Sequence, residues 1–422
     1  MSKTFKYRLL PSAAQERVLR MTLEECRWLY NQLLEQRKAA YEERGEMPTL
    51  YEQQATFGAL KEERVSLGDV HSQVLQNVAM RLDLAFKAFF RRVKASETPG
   101  YPRFRGYNRY DSFCYPQSGF RVNDKRVYLS KIGHVKAVLH RPLDGTVKTC
   151  CVQRTRTGKW FVAFSCEVED APLPATASAV GIDVGLTTFA TMSDGREVAT
   201  PRFFRRDEHD LARAQCRFSE HPTPEKGHPS TRERRRRAKI VARIHERIAN
   251  RRRNFAHQES RKVVNTYDTI AVEDLSINRM AHNHCLAKSI HDAAWAMFTA
   301  MVAYKAACAG RHFIAVNPAY TSQTCSGCGH RQKMPLSERT YQCPCCHLSI
   351  GRDVNAAKNI LAVGLHSIGE GPSKPTALAM GAVTSTASMT GPVRASGGQP
   401  GRARRRARDV AAGPVCDGIM GL

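Results

Sequence analysis

The period at which apolar residues recur divides this chain into segments of different character. Thr4 to Leu10 reads as a short strand that ends at Pro11, and Ser12 with Gln15 three residues later forms a capping box that opens a helix. Val18, Trp28, Leu29, Leu33 and Leu34 supply the apolar side of that long helix. A second helix, Ser72 through Val93, carries Val74, Val78, Leu82, Phe86, Phe89 and Val93 in one stripe and leaves Lys87, Arg91, Arg92 and Lys94 outward. From Thr98 to Glu169 the texture changes to short segments with turn signals at Asn123-Asp124, Asp144-Gly145 and Thr157-Gly158. Runs such as Arg126 to Leu129 and Trp160 to Cys166 lie between them, and the region predicts a small barrel-like β-domain.

A Pro- and Ala-containing linker, Ala171 to Ser178, separates this from a second α/β pattern. Ala179 to Leu186 is an apolar run interrupted by Asp183; Thr188 to Met192 is a second strand, with Asp194-Gly195 as its hairpin turn. Basic helices follow, then the strand Thr269 to Val272 with Glu273 and Asp274 at its end. Ala293 to Tyr304 is too short to span a bilayer and predicts a buried helix through Trp295, Phe298 and Met301. Phe313 to Asn317 is the next strand, and a helix starts near Asp353 and runs through Ala356, Ala357, Ile360 and Leu361. Beyond Gly369 the chain is rich in Gly, Ala, Ser, Thr and Pro, with Arg402, Arg404, Arg405, Arg406 and Arg408, and is expected to be disordered.

Composition narrows the class. At 422 residues the chain is long enough for roughly two to four domains. Lys and Arg total 65 against 39 acidic residues, a net charge of +26. A surplus that large self-repels unless a polyanion compensates it, so nucleic acid is the expected partner. The densest block, Arg232 to Lys262, holds thirteen basic residues against three acidic ones, while Ile240, Ile244 and Ile248 recur at helical spacing. That describes an amphipathic helix with an almost wholly cationic polar face. Tyr101, Phe104, Tyr107, Tyr110, Phe113 and Tyr115 interleave with Arg103, Arg105 and Arg109, a pattern that suits backbone contact and base stacking, although about half of these rings could equally be strand core. The candidate nucleic-acid contacts are Lys6, Arg8, Arg103, Arg105, Arg247, Arg251, Arg253 and Arg352. Met1 to Pro11 lacks the apolar core of a signal peptide, and no membrane role is expected. Five of the fourteen cysteines fall between Cys325 and Cys346, and the rest are scattered or adjacent, as at Cys150 and Cys151, which is not a disulfide framework. A reducing cytosol is the expected compartment.

Two sets of residues carry candidate chemistry. Cys325, Cys328, Cys343 and Cys346 make two C-x-x-C pairs fourteen residues apart, a spacing that suits structural Zn²⁺ held by four thiolates. Cys345, His330 and His347 lie close enough in sequence for a ligand exchange. Asp183, Glu273 and Asp353 each stand at the end of a core element, and three such acids converging could hold divalent cations for phosphodiester hydrolysis: two Mg²⁺, with Mn²⁺ an alternative. Asp274 competes with Glu273, but alternation from Ala271 places Glu273 on the face opposite Val272 and Asp274. Strand-Asp-hairpin, strand-Glu and helix-Asp together form the skeleton of an RNase H-like fold.

The motifs Thr321-Ser322-Gln323-x-Cys325-Ser326-x-Cys328-Gly329, Cys343-x-x-Cys346, and Arg352-Asp353-x-Asn355-Ala356-Ala357-x-Asn359-Ile360 resemble the C-terminal signature of the TnpB (OrfB) family of insertion-sequence transposons. Gly181-Ile182-Asp183-x-Gly185-Leu186, Val272-Glu273-Asp274-Leu275 and Pro102-x-Phe104-Arg105 extend the resemblance across roughly residues 3 to 368. His347 stands where a Gly is common, and Gly351 where an acid often precedes the Arg. The resemblance implies an RNA-guided, Mg-dependent endodeoxyribonuclease related to the type V CRISPR effectors, with Asp183, Glu273 and Asp353 as its triad and the four cysteines as zinc ligands. Its partners would be a guide RNA from the transposon end and double-stranded target DNA beside a short adjacent motif. The implied architecture is multi-domain α/β. A wedge-like β-barrel (1–11 and 98–170) carries a helical insert (12–97). A RuvC-like nuclease domain (171–320) follows, with a basic insert at about 205–263, a zinc ribbon (321–347), a closing helix (348–369) and a tail (370–422). The competing readings are a conventional strand-joining transposase and a non-catalytic nucleic-acid-binding regulator.

Overall fold

The first helix begins where the sequence marks it. Ser12 Oγ accepts from the Gln15 amide at 3.3 Å while Gln15 Oε1 accepts from the Ser12 amide at 3.1 Å, closing the capping box. Residues 1–107, 109–223, 230–280, 282–335 and 337–369 are described by this computed structural model. The Arg-containing tail lies outside them.

The N-terminal part comprises β1 (Ser2–Leu10), α1 (Ala13–Arg44), α2 (Leu50–Ala55), α3 (Phe57–Glu63), α4 (Ser72–Lys94), and then β2 (Ser112–Tyr115), β3 (Phe120–Asn123), β4 (Arg126–Leu129), β5 (Gly133–Val138), β6 (Thr146–Arg154) and β7 (Trp160–Glu167). Its seven strands pair in the order β2-β6-β7-β1-β5-β4-β3. β2 and β3 end this order without pairing to each other, so the sheet is a half-barrel and not a closed one. The helices are inserted between β1 and β2, and Val74, Val78, Leu82 and Phe86 of α4 share one core with Tyr7, Leu9, Trp160 and Phe164 of the sheet. The α4 stripe stops there: Val93 is exposed. Of the interleaved aromatics, Phe113 and Tyr115 are core, whereas Tyr101, Phe104 and Tyr107 are exposed.

One cysteine pairing is not visible in the sequence. β2 pairs antiparallel with β6 in a register that sets Cys114 opposite Cys151, and the two form a disulfide. A separation of 37 residues in sequence concealed a cross-strand neighbour.

The second part contains β8 (Ala179–Val184), β9 (Thr188–Met192), β10 (Glu197–Ala199), α5 (Phe203–Ser219), α6 (Arg232–Thr266), β11 (Thr269–Glu273), α7 (Ile277–Met280), α8 (His284–Ala293), α9 (Trp295–Cys308), β12 (His312–Val316), the short strands β13 (Thr340–Gln342) and β14 (Ser349–Gly351), and α10 (Arg352–Gly369). The main sheet runs β10-β9-β8-β11-β12, with β8, β9 and β10 antiparallel and β8, β11 and β12 parallel.

Alternation along the strands gives this sheet two faces. Val180, Ile182, Ile270 and Val272 pack against Ala256, Val263 and Val264 of α6 and Trp295, Phe298 and Val302 of α9. On the opposite face Gly181 pairs with Ala271, and Ala271 with Ile314. α10 lies on it, with Ile360 against Ala271, Ile314 and Val316. The approach is close enough to require glycine: a Cβ on Gly181 would stand 2.0 Å from the Ala357 carbonyl oxygen, and one on Gly364 would stand 2.7 Å from Ala271 Cβ. Gly181→Ala is therefore expected to destabilise the fold by roughly 1–3 kcal/mol, seen as a lower apparent Tm, since a packed interface gives way only with strain.

Candidate functional site

Sheet register places two of the predicted acids side by side. Ile182 pairs with Val272 in parallel strands, so the next residues, Asp183 and Glu273, project from adjacent strand ends on the face that α10 covers. Asp353 is in the first turn of α10. All three are half-buried. Burial raises the Asp183 carboxyl to about 7, the negative charges of Glu273 and Asp353 add to the rise, and Arg352 opposes it. Burial also pushes Glu273 up, against a hydroxyl donated from Thr321 Oγ1 to Glu273 Oε1 at 2.6 Å. Asp274 is exposed, beyond the strand, with its amide donating to Val316 O.

The cysteines converge as spaced. Among the described residues they form the one group of at least three Cys, His, Asp or Glu whose ligand atoms lie within 4.8 Å of one another, and neither Cys345, His330 nor His347 belongs to it. Cys325 Sγ lies 3.6 Å from Cys346 Sγ, and Cys328 Sγ 3.5 Å from Cys343 Sγ. Tetrahedral thiolates about 2.3 Å from a zinc ion would be spaced about 3.8 Å apart, so the donor set fits Zn²⁺. His347 has φ 59°, the left-handed conformation that glycine adopts most easily.

The basic candidates separate into groups. Lys6 and Arg253 meet where the half-barrel faces α6, and burial together with the Arg253 charge lowers the Lys6 pKa. Arg8 stacks on Phe161 beside them, its Nη1 buried without a hydrogen-bond partner among the described residues. Arg103 and Arg105 are exposed beside the helical insert, where Arg105 covers the Tyr30 ring. Arg352 is beside Asp183 and donates to Pro335 O at 3.2 Å. Arg247 and Arg251, each 44% exposed, both pair with Asp207 of α5, at 2.8 and 3.1 Å. The acids within α6 are few, but α5 and α8 supply others, including Asp292 opposite Arg252 at 2.9 Å.

Three family models match the chain. One described as "Probable transposase" (OrfB_IS605) covers residues 163–284, one described as "Cas12f1-like, TNB domain" covers 295–360, and one described as "Helix-turn-helix domain" covers 1–46. The chain is 35% identical over 373 residues to a "Putative RNA-guided DNA endonuclease" of Streptomyces pristinaespiralis, spanning 86% of this chain and 90% of that protein. It is 32% identical over 386 residues to "Putative RNA-guided DNA endonuclease InsQ" of Escherichia coli K12, spanning 86% and 92%. The chain belongs to the TnpB (OrfB) family. A structure titled "Cryo-EM structure of the Cas12f1-sgRNA-target DNA complex" has a similar fold, with TM-score 0.55 and 13% identity over 85% of this chain and 98% of that one. In this TnpB-family chain the region matched as helix-turn-helix is β1 followed by one continuous helix.

Several residues of the site were not legible as such in the sequence. Asn355, fully buried, donates from Nδ2 to Thr324 O at 2.7 Å and accepts the Ser326 amide at 2.9 Å. Asn359 Nδ2 donates to Thr321 O at 2.8 Å and to Thr324 O at 2.6 Å. They fasten the first cysteine turn to α10. The motif spacing contained them, four residues apart on one helix face, without revealing that their partners are backbone groups.

The Asp183 shift has a thermodynamic sign. Its folded pKa lies above its unfolded value, so its contribution to stability is complete below about 3.8 and is lost as pH rises through about 7. In buffer free of divalent cations, the Tm of Asp183→Asn minus that of wild type is expected to grow by roughly 2–4 °C between pH 5 and pH 7.5 and to level off above, whereas a constant difference would show no such shift. Protein as purified is expected to hold about one zinc per chain by atomic emission, and Cys328→Ser combined with Cys346→Ser less than about a tenth of that.

Proposed function

We propose that this TnpB-family protein is an RNA-guided DNA endonuclease of an insertion-sequence transposon, cutting target DNA at a RuvC-like site formed by Asp183, Glu273 and Asp353. The observation that carries the reading is that Asp183 on a hairpin strand, Glu273 at the end of the neighbouring parallel strand and Asp353 in the first turn of α10 act on one another, with Asp183 raised to about 7 by burial and by the other two. Two anions and one cation, Arg352, act on that carboxyl, so the site has excess negative charge for a divalent cation to neutralise. Hard carboxylate oxygens fit Mg²⁺, and Mn²⁺ equally, while the thiolates fit zinc.

Asp183, Glu273 and Asp353 would hold the cations. When bound, these would supply activation of the attacking water and stabilisation of the leaving 3′ oxygen. The protein's own contribution is positional: strand ends carry Asp183 and Glu273, the close α10 contact positions Asp353, and Asp183 would hold a cation in its carboxylate form. The four-cysteine ribbon has no open ligand position and serves as scaffold. The partners proposed are a guide RNA from the transposon end and double-stranded DNA next to a short adjacent motif. Lys6, Arg8 and Arg253 outnumber the acids that act on them, Asp111 on Lys6 and Glu246 on Arg8, and that surplus supports contact with a phosphate backbone. No helix among the described residues is long and apolar enough to cross a membrane.

Protein purified with its transposon-end RNA is expected to cut a matched DNA in Mg²⁺, and Asp353→Ala to lose roughly a thousandfold or more of that rate while binding guide and target within about twofold of wild type. Equal cutting by both proteins would refute the assignment.

A further inference from the structure

We infer that Thr321 is a positioning residue for Glu273 and that, through it, the cysteine ribbon holds the carboxylate site in register. The inference rests on the endonuclease reading above. Glu273 stands at the end of β11 with a side chain of three rotatable bonds, and a half-buried carboxylate with that freedom presents its oxygens in several directions. Thr321 Oγ1, in a residue 7% exposed, donates to Glu273 Oε1 at 2.6 Å and has Pro318 O as an alternative acceptor at 3.2 Å. Threonine suits the task because β-branching stiffens its χ1, and one donated hydrogen leaves Oε2 and a lone pair of Oε1 free to face a cation.

What fixes Thr321 is the ribbon and the closing helix together. Its carbonyl accepts Asn359 Nδ2 at 2.8 Å, and three residues on the Thr324 carbonyl accepts both Asn355 and Asn359. Cys325 follows at once, inside the four-thiol cluster. A continuous set of contacts therefore runs from the cysteines through residues 321–326 to Glu273 on one side and to α10, the carrier of Asp353, on the other. Removing the hydroxyl while keeping the shape should loosen Glu273 and leave the ribbon intact.

The test uses the full-length protein with its guide RNA and compares wild type, Thr321→Val, Thr321→Ser and Asp183→Ala. Thr321→Val is expected to lower the maximal cutting rate about tenfold and to raise the half-saturating Mg²⁺ severalfold, as loss of one hydrogen bond to a charged group implies. Mn²⁺ binding followed by EPR should weaken in parallel, with zinc content and guide affinity unchanged. Thr321→Ser, which keeps the donor, should return to within about threefold of wild type. Thr321→Val with wild-type rate and metal dependence overturns the inference, as does equal impairment of Val and Ser variants; Thr321→Ala replaces the valine variant if that one loses its zinc. If Asp183→Ala is inactive while Thr321→Val is unaffected, only this inference falls, whereas an active Asp183→Ala brings down the endonuclease reading itself.

Discussion

Three carboxylates of like charge share one end of a sheet because a helix lies almost in backbone contact with it. Gly181 lets the Ala357 carbonyl approach β8, and Gly364 lets α10 settle on Ala271. Ile360, Ala271 and Val316 are buried there with Ile314 against them. Burial of each large aliphatic side chain contributes about 1.5–3 kcal/mol, enough to offset the cost of burying Asp183 beside two other acids, the burial first and the acids second raising its carboxyl to about 7. The site is thus assembled by apolar packing on one side of the strands and by electrostatic strain at their ends. A cation arriving there would find that strain already present.

The ribbon stands in a definite mechanical relation to this arrangement. Its four sulfurs are spaced for a tetrahedral ion, and its first turn is bound to α10 by two asparagines whose amides satisfy backbone groups that would otherwise be buried unpaired. A metal with all positions filled by protein does no chemistry of its own. Bound zinc would stiffen a short segment that lacks a large core, its buried apolar cluster being Cys325, Tyr341 and Cys343. That stiffness would be passed on to Glu273 through Thr321 and to α10 through Asn355 and Asn359 by hydrogen bonds, whose direction is fixed, instead of by apolar contact, which slides.

Charge is distributed less simply than the net value of +26 implies. In α6, arginines that a one-dimensional count leaves unpaired find Asp207 and Asp292 on neighbouring helices, and Glu246 reaches across to Lys159 and Thr157 of the half-barrel. These pairs join elements, while at Lys6 the Arg253 charge and burial outweigh the one acid that acts on it, Asp111. Lys305 shows the same economy within the core: buried between α9 and α6, it donates to His257 O and Ser260 Oγ, and burial lowers it to about 8.

Local pattern by itself determined the elements. The capping box at Ser12, the strands at Arg126–Leu129 and Thr188–Met192, and the helix at Trp295 lie where period and turn chemistry put them, because those signals are contained in a few neighbouring residues. The cysteine spacing likewise announced a four-thiol cluster, since a chelate of two short loops is a local object. Partnership across the fold was decided only by tertiary structure. It closed Cys114 onto Cys151, left the N-terminal sheet a half-barrel, spent Arg247 and Arg251 on Asp207, and put Thr321 against Glu273. Each of these depends on register or on helix docking between segments far apart in the chain. A sequence states which residues want a partner, but only the packed backbone brings a particular donor within 3 Å of a particular acceptor.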